Sequence, residues 1–300
     1  MHTYVIYVGI YYALIKKLDS TMELSKQGAR KMSSKSPPEI AQAVCEVGCK
    51  KTQLPLAKMF VLAIFAGVYI GFGAQLMTTV KVGLADAVGS GFASFLGGAV
   101  FSVGLMLVVI GGAELFTGNN LISVSCCHGK AGLGGLLKNW VVVYIGNFVG
   151  SVLLVVIVFG GYYAYRDPGS MGTLALGVAD AKVNLSFVEA LCRGIGCNWL
   201  VCLAVWLAVS SKDTIGKIFA CFFPIMAFVA MGFEHSIANM YFVPMGLFLK
   251  DWAGLSASAN LTWTGFVQYN LIPVTIGNII GGAFFVGVLY WYVYLQGKSE

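Results

Sequence analysis

Two ionisable residues, Glu234 and His235, interrupt an otherwise apolar part of the chain. Ile218 to Phe233 carries no charge and neither does Ser236 to Leu249, so the pair falls near the middle of one hydrophobic stretch. Burying an unpaired ionisable group in hydrocarbon costs several kcal/mol, so a residue of this kind indicates a functional site. An imidazole, with an ordinary pKa of about 6.5, also exchanges protons near neutral pH. The pattern therefore predicts a site for binding or proton transfer at membrane depth.

An earlier stretch repeats this pattern at a constant offset along the chain. The matched residues are Gly112 with Gly232, Glu114 with Glu234, and Asn119 with Asn239. Apolar segments that are interrupted by glycine at corresponding places in two halves of a chain are typical of transporters and channels built from repeats. Both segments are therefore expected to contribute to one site.

The composition is that of an integral membrane protein. Of 300 residues, 58% are hydrophobic and 11% are charged, and the mean hydropathy is +0.81. A soluble domain would be about 25% charged. The eight cysteines form no CxxC pair, so the sequence indicates neither a zinc site nor a disulfide framework, and we expect no metal or cofactor.

Six membrane spans are predicted, and the second and fifth are interrupted. A helix needs about 20 apolar residues to cross the hydrocarbon core. The first three spans lie in the charge-free runs Met59 to Val80, Ala87 to Ala113 and Asn139 to Tyr165. The fourth lies in Gly194 to Ser211, the fifth is the segment around His235, and the sixth lies within Trp252 to Gly297.

The distribution of Lys and Arg predicts the orientation. With a cytoplasmic N-terminus, inside segments hold 14 of these residues and outside loops hold 4, namely Lys81, Arg166, Lys182 and Lys250, with Arg193 left over. This bias is typical of cytoplasmic loops, so both termini are predicted to be cytoplasmic, in a cell inner membrane. It also accounts for the net charge of +6 without a nucleic-acid partner. Lys182 falls within a long predicted outside loop, Arg166 to Ser186.

The first 36 residues are expected to form a separate N-terminal extension. Their apolar run of about twelve residues is too short to span a membrane, so we expect the extension to be poorly ordered or to lie on the membrane surface. Pro38 suits the start of an interfacial helix over about 38–51. The membrane domain is then 37–300.

The third and sixth spans are also related, through a second constant offset. The matched segments are Ile145-Gly146-Asn147 with Ile276-Gly277-Asn278, and Gly150 with Gly281. Because each half holds an odd number of spans, the second half runs inverted relative to the first. The predicted fold is therefore an all-α membrane protein with an inverted repeat of three plus three spans.

Several of these segments resemble the formate/nitrite transporter family, and most closely its formate channels. The matching segments are Glu114 to Thr117, Lys138 to Trp140, Asn198 to Ala204, Gly232 to Met240 and Asn270 to Gly282. The resemblance covers the chain from about residue 37 to its end. It implies an aquaporin-like fold and a homopentamer in the lipid bilayer, with one pore per protomer that passes small monovalent anions or their acids.

The resemblance also implies roles for individual residues. Thr117 and His235 would face each other at the pore centre, Lys182 would stand in a vestibule, and the histidine would be supported by Asn198, Glu234 and Asn239. The inner apolar constriction would comprise Leu105, Leu115, Phe116 and Val201, and the outer one Phe101 and Phe228.

The implied function is pH-dependent movement of formate, or proton-coupled movement of formic acid. A bare anion cannot cheaply pass apolar rings such as those of Phe101 and Phe228, because desolvating an isolated charge is very unfavourable. A proton supplied through His235, or from water beyond it, would convert the anion into a neutral acid. The protein is therefore expected to be a channel or transporter and not an enzyme.

Two alternatives remain open at this point. Gly118-Asn119-Asn120 follows Thr117 where some formate channels have small hydroxylated residues, which is nearer to some nitrite-type members, so nitrite or hydrosulfide is an alternative substrate. A haem-bearing electron-transfer subunit is disfavoured, because the chain has three histidines and bis-histidine ligation needs a second one within the membrane.

Overall fold

The computed structural model describes residues 11–23, 34–161, 170–253 and 256–297. The chain divides into two units, Met1–Lys35 and Ser36–Glu300. In the first unit, residues 11–23 are helical, and the side chains of Tyr11, Leu14, Ile15 and Leu18 are exposed. Most of the predicted N-terminal extension, residues 1–10 and 24–33, lies outside the described residues.

The second unit is helical, and no strand occurs among its described residues. In chain order the helices are α1 (Pro37–Thr52), α2 (Leu56–Lys81), α3 (Leu84–Val88), α4 (Ser90–Gly111), α5 (Phe116–Asn119), α6 (Ile122–Cys127), α7 (Leu133–Gly160), α8 (Ser170–Val183), α9 (Phe187–Ser210), α10 (Thr214–Ala230), α11 (Ser236–Ala253) and α12 (Trp263–Tyr294). Helix α4 is divided at Ser102, and α12 contains π-helical turns at Phe266–Leu271 and Ile280–Val288.

The described helices include five that are long and apolar enough to cross a membrane: α2, α4, α7, α9 and α12. Helix α10 is apolar but has only 17 residues, and after a break it is followed by α11. Together α10 and α11 occupy the place of the predicted fifth span. The all-α membrane architecture is therefore confirmed, and the helix arrangement fits six spans.

Both interruptions begin at a glycine with a left-handed backbone. Gly112, which follows α4, has φ +84°, and Gly232, which follows α10, has φ +71°. Side chains with a Cβ rarely adopt this conformation, so glycine ends each helix without strain. The chain then runs extended for a few residues before a new half-helix starts at Phe116 or Ser236. The breaks lie where the sequence predicts them.

In each half of the repeat, two helices pack closely at a glycine, and the two contacts are equivalent. A Cβ at Gly150 of α7 would overlap the carbonyl oxygen of Ile64 in α2, and a Cβ at Gly281 of α12 would overlap that of Ile195 in α9. Ile64 and Ile195 are related by the same offset as Gly150 and Gly281. Small residues let helix backbones approach each other in lipid, where hydrophobicity alone does not drive association. The repeat therefore includes the first and fourth spans, whose sequences match too weakly to predict it.

The predicted outside loop Arg166 to Ser186 is wrong in one respect, because residues 170–183 of it form helix α8. At the offset that relates the third span to the sixth, α8 corresponds to α1, so each half of the repeat opens with a short helix. The first of these packs on α6 and the second on α11. Lys182 is consequently held in the last turn of a helix.

We expect Gly150→Ala to lower the free energy of unfolding by about 1 to 3 kcal/mol, the usual effect of overpacking a tight contact. Gly134→Ala in the same helix is the matched control, because no described atom lies within 4 Å of the position that its Cβ would take. Thermal unfolding of both variants in detergent measures the difference. Equal stability of the two variants would show that the α2–α7 contact tolerates a wider spacing.

Candidate functional site

The two half-helices meet at a hydrogen bond between Thr117 and His235. The Oγ1 of Thr117 lies 2.9 Å from the Nε2 of His235. Both side chains are buried, with 0% and 3% of their surface exposed. Residues of the two half-helices, which are 118 positions apart in sequence, are thus brought into direct contact.

The other ring nitrogen determines which atom carries the proton. The backbone N–H of Ala238 donates to the Nδ1 of His235 at 3.0 Å, so Nδ1 is an acceptor and carries no proton. The imidazole is therefore neutral in this arrangement, with its proton on Nε2. Nε2–H then donates to Thr117, and the hydroxyl hydrogen of Thr117 is left to point toward another acceptor.

Apolar rings lie against one side of this pair. The rings of Phe101 and Phe228 meet edge to face with centroids 6.0 Å apart. The ring of Phe228 also stacks at 5.9 Å on the imidazole of His235. The structure thus brings together the two residues of the predicted outer constriction, and one of them, Phe228, lies next to the histidine.

The predicted inner constriction is buried in the same apolar cluster. Leu105, Leu115, Phe116 and Val201 each have 3% or less of their surface exposed. The ring of Phe116 contacts two aromatic rings of α7, with centroid distances of 5.9 Å to Trp140 and 4.9 Å to Tyr144. The side chain next to Thr117 is therefore fixed by neighbouring rings.

Two asparagines anchor the first residues of the half-helices. Asn147 Oδ1 accepts from the backbone N–H of Phe116 at 3.0 Å, and Asn278 Oδ1 accepts from that of Ser236 at 2.9 Å. The Nδ2 group of Asn147 donates to the carbonyl of Glu114, and that of Asn278 to the carbonyl of Glu234. Each asparagine side chain thus satisfies backbone groups that an unbroken helix would have paired internally.

A carboxylate and a lysine brace the first interruption. Glu114 is 5% exposed and accepts hydrogen bonds from Lys51 Nζ at 2.6 Å and from Asn119 Nδ2 at 2.7 Å. Asn119 also donates to Asn139 Oδ1 at 2.8 Å. The backbone N–H of Glu114 donates to the carbonyl of Leu62. The carboxylate is therefore paired on both oxygens and belongs to the frame around the site.

The second interruption is braced in the same way. Glu234, also 5% exposed, accepts from Lys182 Nζ at 2.8 and 3.0 Å and from Asn239 Nδ2 at 2.7 Å. Asn239 donates further to Asn270 Oδ1 at 2.7 Å, and the N–H of Glu234 donates to the carbonyl of Arg193. The two networks correspond residue by residue through the offsets of the repeat.

This geometry changes the interpretation of three predicted site residues. Lys182 is not a free charge in a loop, because it forms a mostly buried ion pair with Glu234. The side chains of Glu234 and Asn239 bond to each other, and the ring of His235 bonds to Thr117 and to the N–H of Ala238 instead. Their support of the histidine is therefore indirect.

Asn198 supports the threonine and not the histidine. Its Nδ2 donates to the carbonyl of Thr117 at 3.2 Å and to the carbonyl of Asn278 at 2.7 Å, and Cys202 Sγ lies 3.4 Å from the same Thr117 carbonyl. Asn198 therefore ties the first half-helix to α12. This contact explains why a fully buried amide occurs in an apolar span.

A small cavity of about 30 Å³ adjoins the site on the side of α1. Its lining residues are Val44, Val47, Gly48, Lys51, Gly118, Leu121, Ile122, Val205 and Val209. Lys51 supplies its one charged group. Gly118, the residue that follows Thr117, is part of this lining.

Sequence reasoning missed the residues that complete these networks: Lys51, Asn139, Asn147, Asn270 and Asn278. A usable signal was nonetheless present. The offset that relates the third span to the sixth also carries Lys51 onto Lys182, Asn139 onto Asn270 and Asn147 onto Asn278. Extending the repeat to every polar residue of the chain would have paired these five with one another or with Lys182.

Comparison with known proteins identifies the family. The model of the family described as formate/nitrite transporter matches residues 38–292. The chain belongs to the formate/nitrite transporter family. It is 46% identical over 280 residues to a probable formate transporter of Methanothermobacter thermautotrophicus, covering 88% of this chain and 98% of that protein.

Two further relatives are named as formate channels. The formate channel FocA of Escherichia coli (strain K12) is 43% identical over 276 residues, which cover 88% of this chain and 96% of FocA. A solved structure, a pentameric formate channel with formate bound, has a TM-score of 0.74 and 42% identity, covering 80% of this chain and 98% of that one. Membership of this family confirms the resemblance and identifies a multi-pass membrane transport protein.

We expect Lys182→Met to destabilise the protein by about 3 kcal/mol or more, because it leaves the buried carboxylate of Glu234 without its cation. The double variant Lys182→Met with Glu234→Gln removes both charges and should recover most of this loss. Unfolding temperatures of the three proteins in detergent test the expectation. Wild-type stability of Lys182→Met would mean that the ion pair does not hold the second interruption.

Proposed function

We propose that this protein is a formate channel that works as a homopentamer with one pore in each protomer. Family membership, two formate-transporting relatives above 40% identity and a pentameric formate channel of the same fold support the proposal. The observation that carries the mechanism is the buried hydrogen bond between Thr117 and His235, formed where the two half-helices meet.

The polar pair would hold a small anion between the apolar constrictions. The hydroxyl of Thr117 has a hydrogen to donate, because the proton on His235 Nε2 already occupies its oxygen. Helix α11, 18 residues long, starts at Ser236, and a helix N-terminus carries about half a positive charge. The Oγ of Ser236 is buried without a hydrogen-bond partner among the described residues, so water or a small polar guest would satisfy it.

The anion must be neutralised before it can pass between the phenylalanine rings. Crossing Phe101 and Phe228 as a bare ion would strip its hydration without replacing it, whereas formic acid crosses as a neutral molecule. Two routes supply the proton. Either His235 takes a proton at Nδ1, which breaks the hydrogen bond from Ala238, and passes one on, or water in the pore supplies it directly.

The two lysines near the interruptions stabilise the fold around the site and do not attract the anion from a distance. Lys51 and Lys182 each pair with a buried glutamate, so each pair is close to neutral from a distance. Attraction of the anion toward the centre would then depend mainly on the half-helix N-terminus and on hydrogen-bond donors.

The hydrogen bonds of Asn119 and Asn120 favour formate over nitrite as the substrate. Asn119 donates to Glu114 and Asn139, and Asn120 donates to the carbonyl of Phe116. Both side chains thus serve the fold around the first interruption. The sequence feature that suggested a nitrite-type member is therefore explained without a different substrate.

The remaining assignments follow from the same function. The protein acts by transport and not by catalysis, in the cytoplasmic membrane of the cell. Both termini would be cytoplasmic. Labelling of a cysteine introduced at Lys298, with a reagent added to the outside of intact cells, tests this orientation. Labelling from outside alone would reject it.

We expect His235→Asn to retain the pentamer but to change the pH dependence of formate flux, because asparagine cannot exchange a proton. Thr117→Val should lower flux about 2- to 10-fold at every pH, which corresponds to the loss of one ordinary hydrogen bond. The measurement is formate uptake into liposomes at several external pH values, with and without a proton gradient. A wild-type pH profile in His235→Asn would assign the proton to water.

A substrate panel of formate, nitrite, hydrosulfide and acetate with the wild-type protein tests the substrate itself. Faster uptake of formate than of the other anions is the expected result. Uptake of nitrite or hydrosulfide without formate would overturn the proposed function.

A further inference from the structure

The ring of Phe116 packs against that of Tyr144, a residue outside the predicted site. The two rings meet edge to face, with centroids 4.9 Å apart and planes at 78°. Contacts of this geometry favour one arrangement of the two rings beyond what burial of area alone would do. The backbone N–H of Phe116 is fixed independently by Asn147. The orientation of the Phe116 ring therefore depends on where the ring of Tyr144 lies.

The far end of Tyr144 is fixed in turn by a residue of the other half. The hydroxyl of Tyr144 in α7 lies 2.8 Å from the Oγ1 of Thr275 in α12. The two residues are related by the same offset as Asn147 and Asn278, so they are partners in the repeat and meet at its pseudo-two-fold axis. Hydrogen bonds between side chains of neighbouring membrane helices hold the helices and the side chains in register, so this contact favours one position of the tyrosine ring.

These contacts form a chain from α12 through Tyr144 to the inner constriction. Phe116 is 3% exposed, so its ring can move only if its neighbours move. Trp140 also contacts the ring of Phe116, but its Nε1–H donates to the carbonyl of Asn119 and so also supports the half-helix. Among the described residues, Tyr144 and Thr275 make no side-chain hydrogen bond besides the one to each other, which makes them the cleaner positions to change.

We propose that the Tyr144–Thr275 hydrogen bond sets the size limit for the substrate, by holding the ring of Phe116 in place at the inner constriction. The inference rests on the proposed function, because it assumes that formate passes Phe116. Both residues are positioning residues that act through Phe116. Without the bond the tyrosine ring gains freedom, Phe116 can yield, and a carboxylate one methyl group larger than formate passes more easily.

The test compares acetate and formate uptake into liposomes that contain the full-length protein. Tyr144→Phe keeps the ring but loses the hydroxyl, and Thr275→Val loses the partner hydroxyl. Each should raise the acetate-to-formate flux ratio by about 2- to 10-fold, the range to which one hydrogen bond converts. The double variant should show no further increase, because both changes remove the same bond.

Two further variants serve as controls. Thr275→Ser retains a hydroxyl and should keep the wild-type ratio. Tyr241→Phe removes the hydroxyl of a buried tyrosine that donates to Gln75 Oε1 at 2.6 Å, and it leaves Tyr144 and Phe116 unchanged. Its ratio should also be that of the wild type. Size-exclusion chromatography establishes that each variant keeps the wild-type oligomer.

An unchanged ratio in Thr275→Val or Tyr144→Phe would overturn the inference, as would an equal rise in Tyr241→Phe. These outcomes differ from failure of the proposed function, in which the wild-type protein would carry no formate. If Tyr144→Phe loses the oligomer, Thr275→Val decides the matter, since it changes neither aromatic ring.

Discussion

The structure depends on pairing every backbone polar group that the two broken helices release inside the membrane. Hydrocarbon offers no water, so each free N–H or C=O must find a partner within the protein. Asn147 and Asn278 supply these partners at the start of each half-helix, and the carbonyls of Leu62 and Arg193 accept from the N–H groups of Glu114 and Glu234. The interrupted helices are tolerated because neighbouring spans supply the hydrogen-bond partners that the interruptions remove.

Charged groups enter this frame as matched pairs. A buried ion pair rarely adds net stability over a well-packed apolar substitute, but loss of one partner is severely destabilising. Lys51 with Glu114 and Lys182 with Glu234 fit this role, since both carboxylates are nearly fully buried and also accept from an asparagine. Such pairs fix one geometry at each break, and the two opposite charges of each pair largely cancel. The histidine can then remain neutral and hydrogen-bonded.

Much of the architecture could be predicted from the sequence, because its signals are local. Charge-free runs predicted the spans, and glycine beside glutamate predicted the interruptions. Helix α8 was missed because Ser170–Val183 is short and of mixed polarity, which reads as a loop when no partner is visible. The pairing of Lys182 with Glu234 could not be read from positions 52 residues apart, since it depends on how α8 packs on α11.

The neutral state of His235, with its proton directed at Thr117, is the feature on which the proposed transport mechanism depends. Nitrogen-15 NMR of histidine-labelled protein in lipid bilayers reports it directly, because the chain has three histidines and His235→Asn identifies the signal of interest. At neutral pH we expect a neutral ring with a bare Nδ1 and a protonated Nε2. A proton on Nδ1 at that pH would contradict the hydrogen bond from Ala238 and the donor role of the Thr117 hydroxyl.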